Sequence, residues 1–323
     1  MSVRYGVLVL TLLALSYGAG ADDRLRLRLA FDAPATDQRS IALLKKFGPG
    51  VSHFARFEPH FNATLFRQGT EIIAVARGNL DMTITSAQQL AEFVPAFSIF
   101  TAGYVHRDAA HQVAVFNAPL MEPFKQRVQE KLGIRLLAVM YLGRRQLNLR
   151  TDQKVMTPQD LAGVKLRMPG SATWQFLGRA LGASPTPMAF SEVYTALQTG
   201  AVDGQDNPLP TVVNSRFYEV TRQIILTSHI VDLNYIAFSG KVWDGLTASQ
   251  QSAIQLAAKA AADYGRREQL RLEDSLTGFL GDEGLDIYEP DLDAFRQQVQ
   301  ARYRESDYAR DWPPGLLEKI NAL

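Results

Sequence analysis

The sequence predicts an α/β fold divided into two lobes, with one long helix shared between them. Three observations lead to this prediction. Strand-like and helix-like segments alternate along the chain, which is typical of a sheet with parallel strands. About 300 residues follow a leader segment, and chains of that size usually divide. One helical pattern runs from Thr247 to about Phe279, and a pattern of more than about 25 residues without internal caps indicates a helix that passes between lobes.

The first part of the chain alternates strand and helix patterns. Residues 25–31, LRLRLAF, alternate apolar and charged side chains with period two, which indicates a strand with one covered face. A helix is predicted at 37–48 and a second strand at 53–61. A further helix begins near Glu71 and ends at Gly78, because glycine readily adopts the left-handed conformation that closes a helix. A short strand follows it.

The middle of the chain repeats the pattern with clear end signals. Gly133 closes an amphipathic helix, and Thr157 with Pro158 forms a typical N-cap and first helical residue. The elements predicted here are, in order, a helix at 121–133, a strand at 134–142, a short helix at 157–163, a strand at 164–169, helices at 171–182 and 191–200, and a strand at 234–239.

The first 21 residues predict a cleavable signal peptide. Arg4 precedes an apolar run at 7–15 that is too short to span a bilayer, and Ala19-Gly20-Ala21 matches the small-residue cleavage pattern. A buried N-terminal helix is the alternative, but no charged residue interrupts the run to give it the polar face of an amphipathic helix. We therefore expect a secreted protein whose mature chain begins at residue 22.

Composition excludes several classes of protein. The chain has 34 Lys and Arg and 33 Asp and Glu, and the leader holds one of the arginines, so the mature chain is neutral. Neutrality and the lack of a basic stripe argue against nucleic-acid binding. The absence of cysteine excludes disulfides, thiolate metal sites and a lipid-modified N-terminal cysteine. We expect neither a cofactor nor a metal. We expect instead that the protein binds a soluble ligand or another protein.

The segment from Tyr141 to Pro208, with a short run after it, carries a set of motifs in fixed order. They are GRRQLNL, DLAGVKLRMP, LGASPTPMAFSEVYTALQTGAVDGQDNP and FYEV. In this order and spacing they resemble the substrate-binding proteins of tripartite ATP-independent periplasmic (TRAP) transporters, the DctP-type family. The resemblance is dense over 141–245, weaker in the C-terminal third and poor between Gly48 and Gly69.

The resemblance implies a two-lobed periplasmic-binding-protein clamshell with a long lobe-spanning helix. Lobe I would comprise residues 22–142 and 233–272, and lobe II residues 143–232 and 273–323. A protein of this family is periplasmic, binds a small organic acid in the cleft and presents it to the subunits of a membrane permease. We expect a monomer.

The resemblance assigns the substrate carboxylate to Arg167. A guanidinium suits this role because its rigid fork matches two carboxylate oxygens and keeps its charge. A charge-assisted hydrogen bond contributes about 1.5–3 kcal/mol, so two supply much of the roughly 8 kcal/mol that micromolar binding requires. The alternative is that Arg167 pairs with an internal acid, Asp203 or Asp206, and holds loops together.

Four other residues of the predicted second lobe match family positions near the ligand. Arg145 corresponds to a second arginine, with Arg144 beside it as an alternative in the alignment. Phe190 corresponds to an aromatic that packs on the ligand, with simple core packing as the alternative. Asn207 corresponds to a polar contact, but asparagine before proline is also a common turn residue. Trp174 lies either at the cleft or in the core.

In the predicted first lobe, Asp32, Gln68 and Ser86 stand where the family places polar ligand contacts. The sialic-acid-binding members have a glutamate at the position of Ser86 and an asparagine at that of Gly170. The sequence therefore disfavours sialic acid and leaves open a smaller or more apolar monocarboxylate, a uronate or a dicarboxylate. A second carboxylate would need a second cation, for which Arg145 is the candidate.

Two other classes of function remain as alternatives. A secreted enzyme acting on a small carboxylate is disfavoured, because the five histidines form no metal-binding motif and no nucleophile elbow or phosphate loop occurs. Hydrolysis of esters or glycosides would support it. An interaction protein without a small ligand would show a melting temperature that no organic acid raises.

Overall fold

The structure is a computed structural model that describes residues 24–323. The predicted signal peptide lies outside these residues. The strands are β1 (Leu25–Ala30), β2 (Ala55–His60), β3 (Met82–Ser86), β4 (Ile134–Leu149), β5 (Lys165–Met168), β6 (Ser184–Pro187), β7 (Gly204–Asn207), β8 (Gln223–Ser239) and β9 (Asp286–Tyr288).

The helices lie between and around these strands. The α-helices are α1 (Gln38–Ala42), α2 (Gly48–Val51), α3 (Glu71–Ala76), α4 (Ala87–Ala91), α5 (Ala109–Asn117), α6 (Glu122–Leu132), α7 (Ala172–Ala180), α8 (Val193–Thr199), α9 (Leu209–Asn214), α10 (Gly240–Asp244), α11 (Ala248–Asp282), α12 (Leu292–Arg304) and α13 (Leu316–Asn321). A π-helical turn (Leu43–Phe47) joins α1 to α2. Short 3₁₀ helices cover Pro95–Thr101, Pro119–Met121, Pro158–Leu161, Phe190–Glu192, Phe217–Glu219 and Asp307–Asp311.

Several predicted helix ends are confirmed. Gly133 ends α6 with φ 62°, in the left-handed region that glycine adopts without a steric cost. Thr157 caps the helix predicted at 157–163, and Asp160 completes a capping box, although the helix is a single 3₁₀ turn. Thr247 caps α11 in the same reciprocal way with Gln250.

The sheet is mixed, so the prediction of a parallel sheet is wrong in part. Its strand order is β2-β1-β3-β8-β4-β7-β5-β6, with β9 beside β8. Strand β1 pairs in parallel with β2 and β3, and β5 pairs in parallel with β6 and β7. The long strands β4 and β8 are antiparallel to each other and to their neighbours β7 and β3. An apolar run reads alike in either direction, which is why the pattern did not reveal this.

Strands β4 and β8 connect the two halves of the molecule. These strands have 16 and 17 residues, so both are far longer than the strands predicted at 134–142 and 234–239. The ladder between them is irregular near Gly143, which faces Asp232 and has φ 131°. On one side of this point lie β1–β3, which we call the first half; on the other side lie β5–β7 and β9, the second half.

Helix α11 runs along both halves, as predicted. Its alanines at 257, 258, 261 and 262 pack in the same hydrophobic cluster as Leu27 and Met82 of the first half. Near its other end, Leu280 packs with Val193 and Leu197 of the second half. Within the described chain, no helix is long and apolar enough to cross a membrane.

The C-terminal segment contacts both halves. Helix α12 packs against α7 of the second half. Tyr303 of α12 donates its hydroxyl to the Thr101 carbonyl (3.1 Å), and beyond the helix the Trp312 indole donates to Ser98 Oγ (2.9 Å). Both acceptors lie in the chain between β3 and β4. The predicted assignment of all of 273–323 to lobe II thus leaves out contacts with the first half, and the division into lobes stays a prediction.

Candidate functional site

A cavity lies between the two halves, at the carboxyl ends of β1, β3, β5 and β7. It encloses about 620 Å³ of space free of protein atoms, part of it open to solvent. The carboxyl ends of strands are the usual ligand site of open α/β sheets. All eight residues predicted to contact the ligand line it: Asp32, Gln68, Ser86, Arg145, Arg167, Trp174, Phe190 and Asn207. Their contact with a ligand stays a prediction.

Arg167, in β5, is almost completely buried, with 1% of its surface exposed. Its Nε and Nη2 donate to the Met188 carbonyl (3.1 and 2.7 Å), and Nη2 also donates to Gln68 Oε1 (3.1 Å). Its Nη1 donates to no atom of residues 24–323, and the guanidinium forms no ion pair with an acid in that part of the chain. Burial, and then the charge of Arg145, lower the pKa of Arg167 to about 10. The guanidinium is therefore charged, desolvated and short of a counter-ion.

The two acids that were the alternative partners of Arg167 are engaged elsewhere. Asp203 accepts the backbone N–H of Lys165 (2.9 Å). Asp206 accepts from Arg145 and from His229 Nε2, which lies 3.1 Å away. The structure thus contradicts the reading of Arg167 as one member of an internal ion pair with either acid.

Arg145, by contrast, is held by acids on two strands. Its Nε donates to Asp206 Oδ2 (2.6 Å), its Nη2 to Asp206 Oδ1 (3.0 Å), and its Nη1 to Asp232 Oδ2 (2.8 Å). Burial opposes the charge of Asp206, but Arg145 and the hydrogen bond with His229 hold the pKa of that carboxyl far below its usual value. Burial raises the pKa of Asp232 despite Arg145. Arg145 therefore faces the cavity with its charge already balanced.

The third arginine of the cavity, Arg39, is also paired. Its Nε and Nη2 each donate to a carboxylate oxygen of Asp37 at 2.9 Å. Its Nη1 donates to Asn234 Oδ1 of β8, and its guanidinium carbon lies 4.7 Å from the centre of the Phe31 ring. Arg39 thus joins the turn after β1 to the centre of the sheet.

Two acids, the half-buried Asp32 and the buried Glu71, form the wall contributed by the first half. The carboxylate of Asp32 accepts from Gln68 Nε2, and burial raises its pKa against the opposing charges of Arg39 and Arg167. Glu71, in the first turn of α3, is 5% exposed. Burial, and then the charge of Asp32, raise the pKa of Glu71 to about 8. This wall offers hydrogen-bonding oxygens and no free cation among the described residues that form it.

Gln68 connects the acidic wall to Arg167 across the cleft. Its Oε1 accepts from Arg167 and from the backbone N–H of Phe190 (2.9 Å), while its amide nitrogen donates to Asp32. The centre of the Phe190 ring lies 5.8 Å from the guanidinium carbon of Arg167. The centre of the Trp174 ring lies 4.5 Å from the guanidinium carbon of Arg145. Both aromatic residues therefore cover arginines at the cavity.

The remaining predicted residues each use part of their bonding capacity within the protein. Asn207, at the end of β7, donates to Gln205 Oε1 (2.6 Å), which leaves its carbonyl oxygen without a donor from residues 24–323. Ser86 Oγ caps α4 by accepting the Gln89 N–H (3.2 Å). Its hydroxyl hydrogen has no acceptor in the described chain.

Sequence reasoning missed several charged residues of the site, namely Arg39, Glu71 and Asp232. Glu71 was noted only as the first residue of a helix, and Asp232 lies within an apolar strand where an acid requires a partner. That mismatch was the available signal for Asp232. Arg39 carried no such signal, because a basic residue in a surface-like helix is ordinary.

The geometry agrees with comparisons to known proteins. The model of the DctP family, described as bacterial extracellular solute-binding protein, family 7, matches residues 52–310. The chain belongs to this family. The DctP-family protein described here is 34% identical over 246 residues to the sialic acid-binding periplasmic protein SiaP of Vibrio cholerae; the match covers 76% of this chain and 75% of SiaP.

Two solved structures of TRAP periplasmic solute-binding proteins are similar to this DctP-family chain. One, from Roseobacter denitrificans, has 3-deoxy-D-manno-oct-2-ulosonic acid (KDO) bound; it is 60% identical, with a TM-score of 0.92, and the match covers 93% of this chain and 99% of that one. Another, from Roseobacter denitrificans OCh 114, has L-galactonate bound. It is 30% identical, with a TM-score of 0.84, and the match covers 92% of this chain and 99% of that one. These similarities confirm the predicted family and the two-lobed fold.

Proposed function

We propose that this DctP-family protein captures a hydroxylated sugar acid with a single carboxylate, of the KDO type, and delivers it to a TRAP membrane permease. The observation that carries the proposal is Arg167, which is buried at the cavity with a free Nη1 and no acidic partner in the described chain. Leaving a buried cation unpaired is costly. A ligand carboxylate removes that cost because it neutralises the guanidinium charge, which makes the site selective for an anion.

The charges around Arg167 favour one carboxylate over two. Arg145 and Arg39, the other described cations that line the cavity, already pair with Asp206, Asp232 and Asp37. A second ligand carboxylate would meet no free cation in residues 24–323 and would lie near the acids of the first half. The role of Arg145 as a partner for a second carboxylate is therefore not supported, and we propose instead that it orders the cavity wall and donates through its remaining N–H.

The other walls suit a ligand with many hydroxyl groups. Asp32, Glu71 and the carbonyl oxygen of Asn207 can accept hydrogen bonds from hydroxyls, and Ser86 can donate one. Such groups discriminate strongly, because a ligand without hydroxyls would leave buried polar atoms unpaired. Phe190 and Trp174 add apolar surface for the carbon skeleton.

The relatives support the same class of ligand. KDO and L-galactonate, the molecules bound in the two similar structures, are both hydroxylated acids with one carboxylate. At 60% identity and a TM-score of 0.92, the KDO-bound protein is similar enough to make KDO the first compound to test. Sialic acid, which SiaP is named for, is less favoured because Ser86 and Gly170 replace larger polar residues.

Closure of the two halves would surround the ligand, and the closed surface would dock on the permease. Hydrogen bonds already cross the cleft, from Arg167 to Gln68 (3.1 Å) and from the Ala172 N–H to Glu92 Oε1 (3.1 Å). We retain the lobe boundaries predicted above, a periplasmic location after signal cleavage, and a monomer. A ligand that contacts both halves favours the closed state by its differential affinity. No catalytic role is proposed for any residue.

A thermal-shift screen tests the proposal. KDO is compared with L-galactonate, with the KDO alcohol in which a hydroxymethyl group replaces the carboxylate, and with the dicarboxylate succinate. We expect KDO to raise the melting temperature in a concentration-dependent way, and the alcohol and succinate to leave it nearly unchanged. A rise with the alcohol equal to that with KDO, or no rise with either sugar acid, would overturn the proposal.

A further inference from the structure

A second chamber continues the cavity toward the surface. It encloses about 830 Å³ of space free of protein atoms and shares Gln68, Gln89, Pro169 and Trp174 with the cavity that holds Arg167. We call the inner one the carboxylate chamber and the second one the outer chamber. Part of this space is open to solvent. It adjoins the carboxylate chamber through the four shared residues, so it offers room for a further group of the ligand.

The outer chamber does not suit a second anion. Among the described residues that line it, Glu92 is the one with a charged side chain. Its Oε1 accepts the Ala172 N–H at the start of α7 (3.1 Å), and Ser171 Oγ accepts the Trp174 N–H (3.3 Å). The helix end that points toward the chamber is thus already capped by protein groups, one of them negative. The chemistry here favours a neutral occupant.

The boundary between the chambers offers free hydrogen-bond donors beside aromatic surface. Gln89 Oε1 accepts from Thr85 Oγ1 (2.8 Å) and from the Ser86 N–H (3.3 Å), which leaves its amide N–H groups without an acceptor in residues 24–323. The Trp174 indole N–H likewise has no acceptor in this part of the chain, and Phe93 adds a second aromatic wall. Amide and indole donors next to aromatic rings suit a group with hydroxyls on one edge and an apolar face.

Gly170 lines the outer chamber without a side chain. A Cβ built at this position meets no atom within 4 Å, and the backbone of Gly170 is outside the left-handed region. A side chain would therefore be tolerated by the backbone and would project into free space. Gly170 lines the outer chamber, so a large side chain at this position is a direct test of the chamber's role.

We propose that the outer chamber is a subsite for a neutral, hydroxylated extension of the sugar acid, such as a second sugar joined to the end farthest from the carboxylate. The proposal rests on the proposed function, since it needs the carboxylate to lie at Arg167. With that end fixed, an extension of the acid would pass from one chamber to the other at the residues that line both, among them Gln89 and Trp174. The protein then accepts glycosylated acids that are longer than KDO itself.

Calorimetric titration tests the subsite with two probes, KDO and a disaccharide in which a neutral hexose is joined to the terminal hydroxyl of KDO. They are titrated into the wild-type protein, into Gly170→Ala and Gly170→Leu, and into Gly281→Leu as a control at an open glycine of α11. We expect the wild type and Gly281→Leu to bind both probes. Gly170→Leu should bind the disaccharide at least tenfold more weakly and KDO less than threefold more weakly, with Gly170→Ala between.

Three results would overturn the subsite. The wild type binds KDO and not the disaccharide, or Gly170→Leu leaves disaccharide binding unchanged, or it weakens both probes equally. Gly170→Ala keeps the test decisive if the leucine variant does not fold. Failure of the wild type to bind either probe is a different outcome: it refutes the proposed function and the subsite with it.

Discussion

Replacing Arg167 by lysine keeps a basic residue at the cavity and removes the planar fork. The native guanidinium is positioned by the Met188 carbonyl and by Gln68, and its Nη1 is left for a ligand. Lysine has a single ammonium group on a flexible stem, so it cannot bind these acceptors and a carboxylate in the same geometry. A buried lysine also loses its proton readily, whereas arginine does not. We therefore expect Arg167→Lys to lose ligand affinity.

The size of the loss follows from the contacts. Losing one charge-assisted hydrogen bond costs about 1.5–3 kcal/mol, which corresponds to a roughly 10- to 100-fold higher Kd. With KDO at 100 times the wild-type Kd, the wild type gains about 2.7 kcal/mol of stability, and a variant with 100-fold weaker binding gains about 0.4 kcal/mol. At roughly 2 °C per kcal/mol for a protein of this size, the rise in melting temperature falls from about 5 °C to about 1 °C.

The assay is calorimetric titration of KDO, supported by melting temperatures with and without ligand. Each rise is measured against the ligand-free melting temperature of the same variant, so loss of the bonds to Met188 and Gln68 does not confuse the result. Arg310→Lys is the matched control, because Arg310 pairs with Asp307 on an exposed turn. An Arg167→Lys protein that binds KDO within threefold of the wild type would refute the reasoning.

Three other predictions concern the ligand-free protein. Because the pKa of Glu71 is raised to about 8, the folded protein keeps a proton that the unfolded chain releases, and stability falls as pH rises from about 5 through 8. Glu71→Gln should make the melting temperature fall less steeply over this pH range. An unchanged slope would contradict the prediction. Burial lowers the pKa of His106 to about 3, so stability falls as pH drops below about 6.5, where the unfolded chain gains a proton; acid unfolding of His106→Phe should shift to lower pH, and an unshifted midpoint would argue against it. Gly143 has φ 131°, and a Cβ on it would lie 2.6 Å from Pro208. In denaturant unfolding, Gly143→Ala should therefore lower the free energy of unfolding by about 2 kcal/mol or more, whereas the control Gly281→Ala in α11 should raise it by about 0.5–1 kcal/mol. Equal effects of the two substitutions would contradict the assignment of strain.

Local signals predicted the elements well, because caps and periodicity are written within a few residues. Thr247 begins α11 and Gly133 ends α6 where the sequence indicates. The sheet was harder, since the antiparallel pairing of β4 with β8 joins residues about 90 positions apart. No local pattern records which distant strand will be the neighbour, or that a strand continues past Gly143.

The candidate site shows the same limit. Arg167 stood out because a charge deep in an apolar strand needs a reason, and the structure leaves it without an acid among the described residues. Arg145 was assigned to the ligand by the resemblance, and its partners Asp206 and Asp232 come from two other strands. Whether a buried arginine is free or paired depends on tertiary contacts, and for Arg167 the sequence alone left both outcomes open.

A crystal structure of the protein grown with KDO tests the central claim most directly. The account predicts that a carboxylate oxygen of KDO lies about 2.7–2.9 Å from Arg167 Nη1, with the sugar hydroxyls toward Asp32 and Glu71. A carboxylate bound to Arg39 or Arg145 while Arg167 Nη1 stays unliganded, or KDO bound outside the cleft, would contradict it.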